Sequence, residues 1–364
     1  MSAAVEDWLL RLNSIAFGDP FKAWGLMTAL GPEGLASSGD ADWAQAAGLS
    51  LQVAARWRRQ SREFDLDGER RLCAAAGARV LLRGRPGYPD LLAAAGDAPL
   101  ALYLQGRLTD SASVAVVGSR APSAYGRRMA RRFGADLARR AITVVSGLAR
   151  GIDAEAHDAA LASGGRTWAV LGSGLGDVYP PENRDLARRI VAAGGALLSE
   201  YPLSAQPQPG QFPRRNRIIA GLSWATVVVE GRASSGSRST AEKAAEYGRE
   251  VLAVPGPADS PLSETPLRLL RDGARLAVGV EDVVAVLPPG AVGDAPRALA
   301  VAARPDGADE SAVLGFLGGE CLSLDDLSRM TGLDTSRLST IMFGLELKDL
   351  VCAVPGQRYA KKDV

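Results

Sequence analysis

Seven short apolar runs punctuate the middle of the chain, at residues 114–117, 142–145, 167–171, 196–198, 226–229, 251–254 and 276–278. Each passes through a turn into a stretch with helical periodicity. Runs this continuously apolar are strands buried on both faces, because alternation would mark a sheet with one wet side. Strand–turn–helix units repeated in this way predict a doubly wound, mostly parallel sheet with right-handed crossovers, a Rossmann-like α/β core. Two further strand-like runs, 80–82 and 100–104, precede it.

Residues 1–80 read differently. Ala, Leu and Trp recur at helical spacing, broken by turns at 30–34 and 47–50, which predicts a small helical domain of the SAM or helix-hairpin-helix kind. The core is expected over 81–287, followed by a Pro/Gly/Ala-rich linker over 288–309. Beyond it, three short helices and a hairpin over 310–364 predict a winged helix. Ser323 caps the second of these helices, Gly332 turns the chain, and Asp334 or Thr335 starts the third.

Composition narrows the function classes. The 364 residues are 47% hydrophobic and 23% charged, a globular balance, and 42 Lys+Arg against 41 Asp+Glu leave a net charge of +1. A nucleic-acid binder with this balance must gather its basic residues on one edge. Cys73, Cys321 and Cys352 are far apart, without disulfide or metal spacing. Neither a signal-peptide pattern at the start nor an apolar run of membrane-spanning length is present. The expectation is a cytoplasmic protein without a metal site.

In an open parallel sheet, ligands bind beyond the carboxyl ends of the strands. Four such ends carry Gly, Ser and Arg: Gly118-Ser119-Arg120, Ser146-Gly147, Gly172-Ser173-Gly174, and Glu230-Gly231-Arg232 running on to Gly236-Ser237-Arg238. Glycine lets backbone N–H groups approach a phosphate, and the next helix N-terminus adds its dipole. The turn GSGLG lacks the spacing and the ribose-binding acid of a dinucleotide fingerprint, and no GxxxxGK[ST] occurs. The segment with the sharpest chemistry is Phe212-Pro213-Arg214-Arg215-Asn216-Arg217. Arginines at a helix start oppose the macrodipole, which makes sense where an anion binds; Phe212 is a stacking candidate beside them. Asp153 and His157, at i and i+4, read as a local pair. No nucleophile–base set can be assembled, so a binding site is expected and no catalytic residue.

The ordered stretches VAVVGSR, VVSGLARGIDAEAH, VLGSGLGDVYPPEN, LLSEYP, FPRRNRIIAGLS, VVVEGRASSGS and GREVLAVPG, then DGARL, resemble the DNA-processing protein A family, DprA, also called Smf. The resemblance implies a non-catalytic protein without a cofactor that binds single-stranded DNA, loads the RecA recombinase onto it during natural transformation, and forms a homodimer. It implies Arg120 as the principal phosphate contact, a nest at Gly118 and Ser119, a basic strip at Arg215, Asn216 and Arg217, and a loop at Gly236 and Ser237. Two departures stand out: Arg238-Ser239 where the family has an apolar residue before Thr-Ala, and residues 266–272 in the dimer region. Leu267 and Leu270 are candidates for that interface, with core packing an equal reading. The competing reading is a nucleotide phosphoribohydrolase, whose PGGxGTxxE signature GSRSTAE distantly resembles, with Glu242 two residues after Thr240 instead of three. A third assigns DNA to the winged helix, where Arg337 and Lys348 are offset by Glu346 and Asp349.

Overall fold

In the computed structural model, the structure describes residues 3–15, 19–291, 308–317, 322–347, 350–354 and 358–361. The chain forms two compact units, Met1–Pro296 and Arg297–Val364.

Five helices open the first unit: α1 (Ala3–Ile15), α2 (Pro20–Ser37), α3 (Asp40–Ala47), α4 (Leu51–Glu63) and α5 (Leu66–Ala75). Asp19, Ser50 and Asp65 accept N–H bonds at the starts of α2, α4 and α5, the usual remedy for the orphan donors of a helix end. The turn expected over 30–34 appears as a kink in α2 at Gly31, whose φ of 62° only glycine takes readily. Leu9, Leu12, Leu26, Leu35, Trp43 and Trp57 fill the space between the helices, and the same apolar cluster runs on into Leu100, Tyr103, Leu197 and Leu203 of the core. Buried polar ties cross with it. Asn13 accepts from Ala101 N (3.0 Å) and donates to Glu200 O (2.7 Å), while Glu69 accepts from Leu203 N (2.7 Å).

The core sheet has nine strands: β1 (Ala78–Leu82), β2 (Ala101–Gly106), β3 (Ser113–Val117), β4 (Thr143–Ser146), β5 (Thr167–Val170), β6 (Ala196–Ser199), β7 (Ala225–Val228), β8 (Glu250–Ala253) and β9 (Arg275–Leu276). Their order is β1-β2-β6-β5-β4-β3-β7-β8-β9. The seven from β6 to β9 run parallel, while β2 is antiparallel to both β1 and β6. The seven expected strands are therefore present, and the two leading runs form an antiparallel flank. The last run stops early because Asp282 accepts from Val278 N (2.8 Å) and Gly279 N (3.0 Å) and starts a helix.

Between β1 and β2 lies α6 (Asp90–Ala93); the crossovers are α7 (Ala124–Arg139), α8 (Ile152–Ala162), α9 (Arg184–Ala192), α10 (Gln211–Gly221), α11 (Gly236–Glu246) and α12 (Glu264–Arg271), and α13 (Val280–Val284) follows β9. Phe133 and Leu137 of α7 and Ile152 and Ala156 of α8 pack with Val114 and Val144 on one sheet face. Ile218 and Ile219 of α10 and Ala241 of α11 pack with Val117 and Val145 on the other.

The second unit contains α14 (Ala308–Phe316), β10 (Leu322–Ser323), α15 (Leu324–Thr331), α16 (Thr335–Leu347), β11 (Val351–Val354) and β12 (Arg358–Lys361), with an antiparallel sheet in the order β10-β12-β11. This is the expected winged helix. Ser323 and Asp326 form a capping box, Gly332 takes φ 72°, and Asp334 accepts from Arg337 N (2.9 Å). Most of the expected linker, residues 292–307, and Lys348 and Asp349 lie outside the described residues. Among the described residues, no helix is long and apolar enough to cross a membrane.

Candidate nucleic-acid interface

The sheet order fixes where a ligand can enter. From β3 the chain winds through β4 and β5 to β6, then returns by α10 to β7, which lies on the other side of β3. Connections leaving β3 and β7 diverge to opposite faces and leave a crevice at the carboxyl edge, the switch point of a doubly wound sheet. That crevice has a volume of about 670 Å³ and is lined by residues 117–121 after β3, the start of α10, and the loop from Arg232 to Ser237 after β7.

Of the helices that start at this edge, α7, α8, α10 and α11 begin beside the crevice, and they differ in what occupies their N-termini. At α7 the place is taken by Glu230, 5% exposed, whose carboxylate accepts from Ser123 N (2.9 Å) and Ser123 Oγ (2.5 Å). Gly126 is needed there, since a Cβ would stand 2.2 Å from Glu230 Oε2. At α8, buried Asp153 accepts from Gly147 N (3.1 Å) and Ala149 N (3.4 Å). Gly151, at φ 77°, brings α8 against the loop after β3, and Ile152 N donates to Ser119 O (3.1 Å). The first turns of α10 and α11 hold no acid. Asn216 joins them, donating to Gly236 O (3.0 Å) and Ser239 Oγ (2.8 Å). Two helix dipoles are thus neutralised internally and two remain open to an outside anion.

Arg120 is exposed at the mouth. Its guanidinium carbon lies 5.5 Å from the centroid of the Phe212 ring, and Tyr179 packs on Phe212 at 5.5 Å, tilted by 49°. Gly172 gives this ring its seat, because a Cβ would stand 2.7 Å from Phe212 Cδ1. Arg120, Arg214 and Arg232 are exposed and carry no carboxylate partner among the described residues. A cation held on an aromatic face beside open helix dipoles suits a phosphate with a base against it.

The expected site residues divide. Gly118, Ser119, Arg120, Phe212, Arg215, Asn216, Gly236 and Ser237 all line the crevice. Arg214 stands just outside, in a notch with Pro213 and Lys243. Several others are spent internally. Ser146 is buried and donates to Val116 O (2.7 Å). Gly147 gives its N–H to Asp153 and its carbonyl to Arg215. Gly174 is buried, donates to Ala205 O (2.8 Å), and would place a Cβ 2.3 Å from two backbone oxygens, so its glycine serves close packing.

The basic strip is also not one surface. Arg215 is 3% exposed, and its Nη1 donates to Gly147 O (2.7 Å) and to Val170 O. Burial lowers its pKa to about 10, against the pull of Asp153. Arg217 is 7% exposed and pairs with buried Glu200. Arg238 pairs with Glu242 at 2.7 Å and faces a different cavity, shared with α12. The expected Asp153–His157 pair does not form. Asp153 takes backbone N–H groups, and His157 Nδ1 meets Thr167 Oγ1 at 2.6 Å. Burial lowers the imidazole to about 3 and, ahead of the opposing effect of Arg215, raises the Asp153 carboxyl. Sequence reasoning missed Tyr179; it placed Glu230 and Arg232 at the strand end after β7 but gave neither a role of its own. Arg232 follows the end of β7 by four residues and Tyr179 the end of β5 by nine, while an acid such as Glu230 directly after an apolar run is a cue for a helix-capping role.

Leu267 and Leu270 are half-buried on α12, while Leu276 and Val278 at the β9 edge are 50% and 49% exposed. Among the described residues, no His, Cys, Asp and Glu are grouped so as to hold a metal ion.

Fold and crevice together define a Rossmann-like protein with an anion-receptive switch point, flanked by a helical region and followed by a winged helix. A model of the family described as DNA recombination-mediator protein A matches residues 79–288, and one for the DprA winged helix domain matches 297–357. The chain belongs to the DNA recombination-mediator protein A family. It is 43% identical to Protein Smf of Escherichia coli (strain K12) over 277 residues, 74% of each chain. DNA processing protein DprA of Bacillus subtilis (strain 168) is 40% identical over 204 residues, 55% of this chain and 68% of that one. The X-ray structure of DprA from Streptococcus pneumoniae superimposes with a TM-score of 0.66 at 32% identity, covering 79% of this chain and 99% of that one. DprA from Helicobacter pylori, whose structure is titled for its single-stranded DNA binding mode, gives 0.51 at 26% identity, over 57% and 94%.

Proposed function

We propose that the chain binds single-stranded DNA in the β3–β7 crevice without reading sequence, and presents the strand to RecA recombinase in the cytoplasm. The observation that carries this reading is the exposed Arg120 on the Phe212–Tyr179 stack, facing two helix N-termini that no internal acid occupies. Arg120 and the N–H groups at 118–119 hold phosphate, and Phe212 takes a base face, which is tolerant of sequence because every base has one. The H. pylori protein supports the ligand class. A homodimer through α12 and the β9 edge, where Leu267, Leu270, Leu276 and Val278 cluster in sequence, completes the reading. Catalysis is not part of it. Glu242, the acid that a phosphoribohydrolase would need, is exposed, paired with Arg238 and outside the crevice lining.

A competition gel shift tests this reading. Labelled oligothymidylate should be displaced by unlabelled single strand of mixed sequence and far less by duplex of equal length. Equal displacement by duplex would contradict it.

A further inference from the structure

Helix α7 leaves the Arg120 loop and carries Arg127, Arg128, Arg131, Arg132 and Arg139, with Arg140 at its C-cap. Six arginines here meet three carboxylates. Glu155 is shared by Arg127 (3.1 Å) and Arg131 (2.6 Å), and Asp136 by Arg132 (3.7 Å) and Arg139 (2.5 Å). Glu281 pairs with Arg140, and among the described residues Arg128 has only the Tyr125 ring beneath it, 5.9 Å from the centroid. The surface therefore keeps an excess of three positive charges. A solvated arginine face elsewhere on this core looks different. On α9, Arg184, Arg188 and Arg189 meet Asp177, Asp185 and Asp158, three acids for three bases, even though Arg188 and Arg189 share Asp185. What sets α7 apart is therefore the charge balance and not the sharing: three guanidiniums' worth of charge is left uncompensated, with most of their five donors each free for phosphate oxygens.

We propose that this arginine stripe is a second nucleic-acid contact, carrying the strand onward from the crevice over the N-terminus of α7. The inference rests on the crevice reading for its ligand. Continuity supports it: the loop that lines the crevice at 118–121 enters α7 at Ala124, and Arg127, Arg128, Arg131 and Arg132 occupy its first turns. At 1.5 Å per residue, the stripe from Arg127 to Arg139 extends about 18 Å, room for several further phosphates. A strand confined to the crevice would not reach it.

The test uses the full chain and fluorescence anisotropy with oligothymidylates of about 6 and about 30 nucleotides over a salt series. Arg128→Ala with Arg132→Ala should lower affinity for the long strand several-fold and make its log–log salt slope less steep by about 1.4, two phosphates at about 0.7 each. The short strand should bind as before, and the double Lys variant should restore the long-strand slope. An unchanged long-strand slope overturns the proposal and leaves the stripe as a surface for a protein. Equal losses on both strands overturn it as well. The crevice reading is judged separately by Arg120→Ala on the short strand, so either can fail alone, because the stripe is read from the long-minus-short difference.

Discussion

The two sides of the crevice are built from the same parts and arranged to opposite ends. On the α7–α8 side, Glu230 and Asp153 supply the anions that the helix N-termini attract. On the α10–α11 side no acid does so, and Asn216 ties the two helix starts together. The same contrast runs within four residues of α10: Arg214 is exposed and unpaired, whereas Arg215 and Arg217 are buried and committed. Basic residues at a helix start therefore do two jobs here. Arg215 crosses the crevice floor to the carbonyls at the ends of β4 and β5, holding closed the side that needs no ligand.

Substitution of Arg215 should break this contrast most severely. Arg215→Met strands the Gly147 and Val170 carbonyls, at about 1–3 kcal/mol for each buried acceptor left unsatisfied. Chemical denaturation would measure it. A loss below about 0.5 kcal/mol would mean that Arg215 is not structural. His157, behind the closed side, gives a pH test of up to a few kcal/mol. The unfolded chain takes a proton near pH 6.5 and the native state not until about 3. Stability from this group is therefore full above pH 6.5 and lost progressively down to about 3. Asp153, raised by burial, works in the opposite sense at the acid end. Replacing His157 by Gln should flatten the decline in thermal midpoint between pH 7 and pH 5, and an unchanged decline would contradict the burial account.

The strands and the switch-point edge were legible in the sequence, because fully apolar runs ending in Gly, Ser and Arg leave few alternative architectures. Which arginines face outward was not legible. Arg217 finds Glu200 directly after β6, and Arg215 finds the Gly147 and Val170 carbonyls at the ends of β4 and β5, partners set by sheet order and not by local spacing. Gly174 misled for a related reason: close packing against residues 202–203 and phosphate contact both call for glycine. Asp153 and His157 had suitable helical spacing, yet each found a better partner on a strand or loop that the helix face alone does not reveal.

If the crevice holds the strand, Arg120, the exposed cation at the open side, is its principal contact. The most direct test is anisotropy titration of a short oligothymidylate with the Arg120→Ala protein across a salt series, with the thermal midpoint recorded alongside. Losing one charge-assisted phosphate contact, worth about 1.5–3 kcal/mol, should weaken binding by at least about tenfold and make the salt slope less steep by about 0.7, with stability unchanged. Undiminished affinity with the wild-type slope would contradict the claim that this crevice holds the strand.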